Sequence, residues 1–165
     1  MFTAFASTML LVSIVQAQSV IKRSWPPVDH WTTLMVDGGK RGLMCSVAVP
    51  TSSGTMVSII MTKNATHLYL NYGKQLLPLS RNLVISADGT QVFEAPILDG
   101  DTDSAGGHFV MADLPGSILA DTIAPALISA NAMQIDLGNQ RFTVNTRHFA
   151  QATNEIRECS AASAR

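Results

Sequence analysis

Short runs in which apolar and polar residues alternate make up much of the chain. From residue 42 to residue 49, every second side chain from Leu43 to Val49 is apolar. Successive side chains of a β-strand point to opposite faces, so this run predicts a strand with Cys45 on its apolar face. Similar runs predict strands at residues 31–36, 55–62, 66–72, 82–86, 90–95, 109–112, 133–137 and 141–146.

Short polar connections separate these predicted strands. Asp88-Gly89 is a strong hairpin signal, because a two-residue type I′ turn needs positive φ at both positions. Strands that follow one another through short turns favour antiparallel pairing. We therefore expect a mainly β fold, either an antiparallel β-sandwich or a bent sheet, with one or two covering helices near the C-terminus.

Two segments in the last third of the chain have helical periodicity. The first spans about residues 117–127, with Ser117 or Asp121 as the expected N-cap. Pro125 lies inside it, so the helix either starts near Asp121 or is kinked at Pro125.

The second helix is predicted from about Arg147. Its apolar residues recur at steps of three and four, which places them on one core-facing side. They are Phe149, Ala152, Ile156 and Cys159. The intervening polar residues Gln151, Glu155 and Glu158 are expected to face solvent.

The chain contains two cysteines, Cys45 and Cys159. Only one pairing is possible within the chain, and both residues fall on apolar faces of predicted elements. The sequence therefore predicts a disulfide, worth about 4–5 kcal/mol because it would close a loop of roughly a hundred residues. Two buried free thiols or an intermolecular bridge are the alternatives.

Residues 1–17 have no charged side chain. An apolar run from Thr8 to Val15 precedes Val15-Gln16-Ala17, which has small residues where a signal peptidase requires them. We predict a signal peptide at 1–17, an N-terminal arm at 18–30, a single β-rich domain at 31–160 and a tail at 161–165. A membrane anchor and a buried N-terminal helix are the alternatives, although the run is shorter than the ~20 residues that span a bilayer.

The predicted signal peptide and disulfide indicate where the protein acts and what it could bind. A predicted disulfide and a signal peptide both indicate a periplasmic or secreted protein. The formal net charge is −1, so no basic patch suggests nucleic acid, and no transmembrane segment is predicted after residue 17. The expected partner is a protein or a component of the cell envelope.

One acidic stretch could bind a metal ion. Asp99, Asp101 and Asp103 alternate as in the opening of a calcium loop. Ser104 and Val110 occupy the positions at which such a loop has glycine and a bidentate glutamate. The candidates are thus a weak metal site at Asp99, Asp101 and Asp103 or an ordinary solvated loop.

Other chemical signals are sparse. The sequence contains no GxSxG, SxxK, HExxH or P-loop motif, and no cofactor is predicted. His108 and Asp113 could form a catalytic pair only if the fold brings them together. Trp25 and Trp31 are either an exposed contact surface, flanking Pro26-Pro27, or core residues.

The order of parts resembles a known family. The predicted leader precedes Trp31-Thr32-Thr33, a strand carries Cys45, and a closing helix from Phe149-Ala150-Gln151-Ala152 ends at Cys159. This layout is similar to small exported bacterial proteins of the invasion-associated locus B type. The resemblance implies a periplasmic or cell-envelope β-rich domain without established catalysis.

The leading hypothesis is therefore a non-enzymatic periplasmic or secreted domain that binds a protein or an envelope component. The first alternative is a small exported hydrolase or metal-dependent enzyme that uses the loop from Asp99 to His108. The second alternative is a calcium-stabilised structural module.

Overall fold

The computed structural model describes residues 20–39, 42–73, 79–102, 107–138 and 140–163. The predicted signal peptide lies outside these residues. The described chain forms one ten-stranded antiparallel sheet in the order β1-β2-β3-β4-β5-β8-β7-β6-β9-β10. The strands are β1 (Val20–Ser24), β2 (Thr32–Asp37), β3 (Leu43–Pro50), β4 (Met56–Met61), β5 (Thr66–Gly73), β6 (Leu79–Ala87), β7 (Thr90–Thr102), β8 (His108–Asp113), β9 (Ala132–Gly138) and β10 (Arg141–Asn145). The expectation of a mainly β antiparallel fold is confirmed.

The core lies on the face of the sheet that the last helix covers. In β5, buried residues alternate with partly exposed ones along the whole strand, as expected when only one face is packed on a core. The closing helix, α3 (Phe149–Ser163), packs on β2 and β3. Its four predicted core residues are buried: Phe149, Ala152, Ile156 and Cys159.

The predicted disulfide joins α3 to β3. The sulfurs of Cys45 and Cys159 are bonded at 1.98 Å, and their Cα atoms are 5.8 Å apart. The two residues are only 1% and 0% exposed. The bond therefore lies inside the core and ties the last helix to an early strand.

The other helical segment differs from its prediction. It comprises α1 (Gly116–Ile118), a π-helical turn (Leu119–Ile123) and α2 (Ala124–Ser129). The helix begins before Asp121, and no side chain caps it, because Pro115 occupies the N-cap position. A proline in a helix lacks an N–H and crowds the carbonyl four residues earlier. The wider turn, in which the N–H of Ala124 bonds to the carbonyl of Leu119, lies directly before Pro125.

Three segments contain more regular structure than expected. The predicted arm at 18–30 includes β1, whose side chains are all exposed and therefore show no alternating burial. The predicted loop after Asp99 begins as strand, because β7 continues to Thr102 and pairs with β8. The predicted tail begins as helix, since α3 reaches Ser163.

The hairpin between β6 and β7 has the predicted turn. Asp88 and Gly89 both have positive φ, 46° and 85°. The Asp88 carboxylate also accepts hydrogen bonds from the backbone N–H groups of Asn131 (3.0 Å) and Ala132 (2.9 Å). These bonds hold the pKa of Asp88 below its ordinary value, with the Asn131 bond the larger cause. The turn is thus tied to the start of β9.

This contact predicts a pH dependence of stability. A carboxylate whose pKa is lowered by folding stabilises the native state above its unfolded pKa, and the contribution disappears as pH falls through the folded value. Asp88→Asn should therefore unfold at lower urea concentration than the parent at neutral pH. The difference should shrink as the pH falls below about 4, the ordinary pKa of an aspartate. Asparagine tolerates the same turn conformation, so a difference that persists unchanged at pH 2 would contradict a charge effect.

Candidate functional site

The two edge strands of the sheet, β10 and β1, differ in the contacts that they make on their outer sides. On β10, the carbonyl of Thr143 accepts the N–H of Ser52 at 2.9 Å. The carbonyl of Asn145 lies 3.2 Å from Nε2 of His30. On β1, none of the described strands pairs with the outer side. The β1 edge, defined here as Val20–Ser24, is therefore the open end of the described sheet.

Both faces of the β1 edge are accessible. All five residues are exposed, including the two large apolar side chains Val20 (56% exposed) and Ile21 (42%). Exposed large hydrophobic residues that are neighbours on an edge strand are unusual, since native proteins commonly protect sheet edges. This edge is the candidate functional site.

Lys22, the first charged residue of the β1 edge, forms an ion pair with a residue of β2. Nζ of Lys22 lies 3.4 Å from Oδ2 of Asp37, and both side chains are well exposed. The pKa of Asp37 is lowered, first because the backbone N–H of Gly39 donates to its carboxylate and then because Lys22 is close. Asp37 therefore offsets part of the positive charge of Lys22, and the ion pair is weak because both side chains are exposed to solvent.

The second cation contacts an aromatic ring. The guanidinium carbon of Arg23 lies 4.3 Å from the centre of the Trp25 ring, in cation–π contact. The indole Nε1–H of Trp25 donates to Glu158 on α3 at 3.3 Å. Trp25 therefore connects the end of β1 to the closing helix.

A buried carboxylate lies on the same side of α3. Glu155 is 9% exposed and accepts a hydrogen bond from the hydroxyl of Thr33, at 2.8 Å. Thr33 itself is fully buried on β2. The expectation that Glu155 faces solvent is therefore wrong, whereas Gln151 and Glu158 are exposed as predicted. Glu155 lies on the same side of α3 as Ala152 and Cys159, and the hydroxyl of Thr33 satisfies one oxygen of the buried carboxylate.

Both tryptophans suggested as a contact surface are buried. Trp25 is 7% exposed and Trp31 is 2% exposed. The Trp31 ring packs 5.1 Å from that of Phe149, and its Nε1–H donates to the carbonyl of Arg147 at 2.9 Å. These positions match the interpretation of both residues as core side chains, so the accessible surface at this end is β1 itself.

The structure separates His108 from Asp113. They are the first and last residues of β8, which at about 3.3 Å per residue places them roughly 17 Å apart along the strand. His108 instead stacks on Tyr72, with ring centres 5.8 Å apart. The pairing of His108 with Asp113 is therefore excluded by the geometry of the strand.

Asp113 has another histidine beside it. Its Oδ1 lies 2.8 Å from Nδ1 of His67, but the two atoms are not aligned as a hydrogen bond. The contact is thus an ion pair only when His67 is protonated. An open cavity of about 450 Å³ lies beside Asp113 and is also lined by Lys63 and Thr66.

The acidic stretch is described only in part. The backbones of Asp99 and Asp101 belong to β7 and pair with Met111 and Phe109 of β8. The side chains of Asp99 and Asp101, and all of Asp103, lie outside what the structure describes. Within the described ranges, no three acidic, histidine or cysteine side chains are grouped closely enough to hold a metal ion.

Comparisons with known proteins add no relative. Protein-family models, curated sequences and solved structures were compared with the chain, and none matches it. In the described part of the chain, no helix combines the length and apolar character needed to cross a membrane. The described residues define the class of protein by its fold: a disulfide-linked domain whose ten described strands form one antiparallel sheet, with β1 at one edge.

Proposed function

We propose that this chain is an exported, non-enzymatic domain that binds a protein or a component of the cell envelope. The observation that carries the proposal is the β1 edge, where Val20 and Ile21 are exposed on a strand with no described neighbour on its outer side. An accessible sheet edge is a common means of binding an extended segment of a partner.

Two features support export. The first is the predicted signal peptide at residues 1–17. The second is the disulfide between Cys45 and Cys159, because such bonds persist in oxidising compartments such as the periplasm. The proposal also includes the resemblance to exported bacterial proteins of the invasion-associated locus B type.

The function is tested with the exported chain and isolated cell envelopes. The purified, fluorescently labelled chain should bind envelopes saturably, and excess unlabelled chain should displace it. Protease treatment of the envelopes distinguishes a protein partner from a lipid or polysaccharide. Ile128→Ser, which changes an exposed residue on α2, serves as a surface control and should bind like the parent.

Two outcomes would contradict the proposed function. If the chain remains in the cytoplasm, or if its binding to envelopes does not saturate, the proposed function is wrong. Mass spectrometry of the isolated protein gives a second readout. A chain that begins at Gln18 and carries an oxidised Cys45–Cys159 pair is expected.

A further inference from the structure

We propose that the partner is a protein that contributes an extended, acidic segment, and that this segment adds to the sheet along the β1 edge. The inference rests on the proposed binding function and specifies its surface and its partner chemistry. In strand addition, main-chain hydrogen bonds supply affinity and alternate side chains supply specificity. Both requirements can be examined on β1.

The first requirement is a set of outward-facing backbone groups. The N–H of Trp25 donates to the carbonyl of Thr33 at 3.1 Å, so the polar groups of Trp25 face β2. In an antiparallel ladder, the direction of these groups alternates from residue to residue. The N–H and C=O of the preceding residue, Ser24, which is paired with Leu34, therefore face away from β2 and toward an incoming strand.

The second requirement is a side-chain surface that an incoming strand can cover. Val20 and Ile21 are consecutive and 56% and 42% exposed, so they point to opposite faces of the strand. An added strand would cover apolar surface on both faces. Trp25 and Trp31 are buried, so at this end of the sheet Val20 and Ile21 are the large apolar residues that an added strand could cover.

The charges on the β1 edge indicate what kind of strand would bind there. Arg23 has a cation–π contact with Trp25, but no ion pair with any other described residue. Lys22 lies beside it and is only partly neutralised by Asp37. The edge therefore has an excess of positive charge, and acidic side chains on the added strand would be stabilised by it, because opposite charges across a strand pair attract.

The same charges disfavour a second copy of this chain. Antiparallel self-pairing centred on residue 22 places Lys22 opposite Lys22, and a shift of one residue places Lys22 opposite Arg23. Like charges directly opposite one another destabilise strand pairs. The register shift lies between Ile21 and Arg23, so an incoming strand can follow the regular ladder only on either side of Lys22. The charges of the edge thus disfavour copies of this chain and favour an acidic strand.

The test uses a matched pair of backbone variants. Ser24→Pro removes the outward-facing N–H of residue 24, whereas Ser24→Ala keeps it and removes only the exposed hydroxyl. The probe is a fluorescein-labelled synthetic peptide of alternating valine and glutamate, compared with a valine–lysine peptide of equal length. Fluorescence anisotropy should show that the acidic peptide binds more tightly. Ser24→Pro should weaken that binding by about tenfold, the equivalent of one net hydrogen bond, and Ser24→Ala should not.

A second variant tests the charge without altering the backbone. Arg23→Glu should weaken binding of the acidic peptide and strengthen binding of the lysine peptide, even if Ser24→Pro proves unable to fold. Equal binding of the two peptides, or no effect of either variant, would overturn the inference. A dimer in sedimentation experiments that Arg23→Glu dissociates would overturn it in favour of self-association.

Failure of the inference can be distinguished from failure of the proposed function. If the chain binds envelopes saturably but Arg23→Glu binds equally well, the domain has a partner that does not use the β1 edge. If the chain does not bind envelopes at all, the proposed function itself is wrong.

Discussion

Removal of the Cys45–Cys159 bond is expected to lower the free energy of unfolding by about 5 kcal/mol. The two cysteines are 114 residues apart in sequence, so the bond excludes a large share of the conformations of the unfolded chain. In the chain-entropy description, this restriction contributes more as the closed loop becomes longer. The loss would take a large part of the 5–15 kcal/mol that usually stabilises a domain, about a third or more.

The appropriate variant replaces both cysteines with alanine. Both residues lie in the core at 0–1% exposure, and serine there would bury an additional hydroxyl. Guanidinium unfolding should show the loss directly, and the melting temperature should fall by about 10–20 °C for a domain of this size. The parent protein measured in reductant is the control, because it loses the cross-link but keeps both sulfur atoms.

The comparison separates cross-linking from packing. The reduced parent and the double alanine variant should lose similar stability, and reductant should have no further effect on the variant. If the double variant loses less than about 2 kcal/mol, closure of the long loop is not a main source of stability in this protein.

The disulfide could be predicted because both cysteines lie in regular local patterns. A period of two places Cys45 on the apolar face of β3, and steps of three and four place Cys159 on the apolar face of α3; both residues are buried. Each pattern depends on residues close in sequence. The predicted turn at Asp88-Gly89 has the same local origin.

Local patterns of this kind do not predict contacts between residues that are distant in sequence. Glu155 is three residues after Ala152 and four before Cys159, so the helical period places it on the buried side of α3, whereas its charge alone favours exposure. Its partner Thr33 is 122 residues away in sequence, so the sequence around Glu155 does not predict the hydrogen bond. The carboxylate of Asp88 is similar, because its contact with Asn131 joins a turn to the residue before β9, 43 positions later in the sequence.

The candidate site was missed for a different reason. The strand signal used for the rest of the sheet is the alternation of apolar and polar residues, which the sequence of β1, Val-Ile-Lys-Arg-Ser, lacks. It is a strand because its backbone pairs with β2. A sheet edge that is exposed on both sides therefore resembles a polar arm in sequence, and the sequence of residues 18–30 predicts such an arm.

Truncation of Trp31 to alanine is the second large effect, with an expected loss of about 3–5 kcal/mol in unfolding free energy. The indole is 2% exposed and packs against Phe149 at 5.1 Å, so its removal leaves a cavity between β2 and α3. It also removes the N–H that donates to the carbonyl of Arg147. Urea unfolding can be followed by the fluorescence of Trp25, the remaining tryptophan of the two in the chain.

Two further variants separate the contributions of packing and hydrogen bonding at Trp31. Trp31→Phe keeps a large aromatic ring but cannot donate to Arg147, so the lost hydrogen bond should cost about 0.5–1.5 kcal/mol, plus whatever the smaller ring leaves unfilled. Ile128→Ala truncates an exposed apolar residue on α2, and its effect should stay within about 0.5 kcal/mol. If Trp31→Ala is no more destabilising than Ile128→Ala, the indole does not pack between the sheet and α3. A large loss in Trp31→Ala with a small one in Trp31→Phe would show that packing, more than the hydrogen bond, holds the closing helix on this end of the sheet.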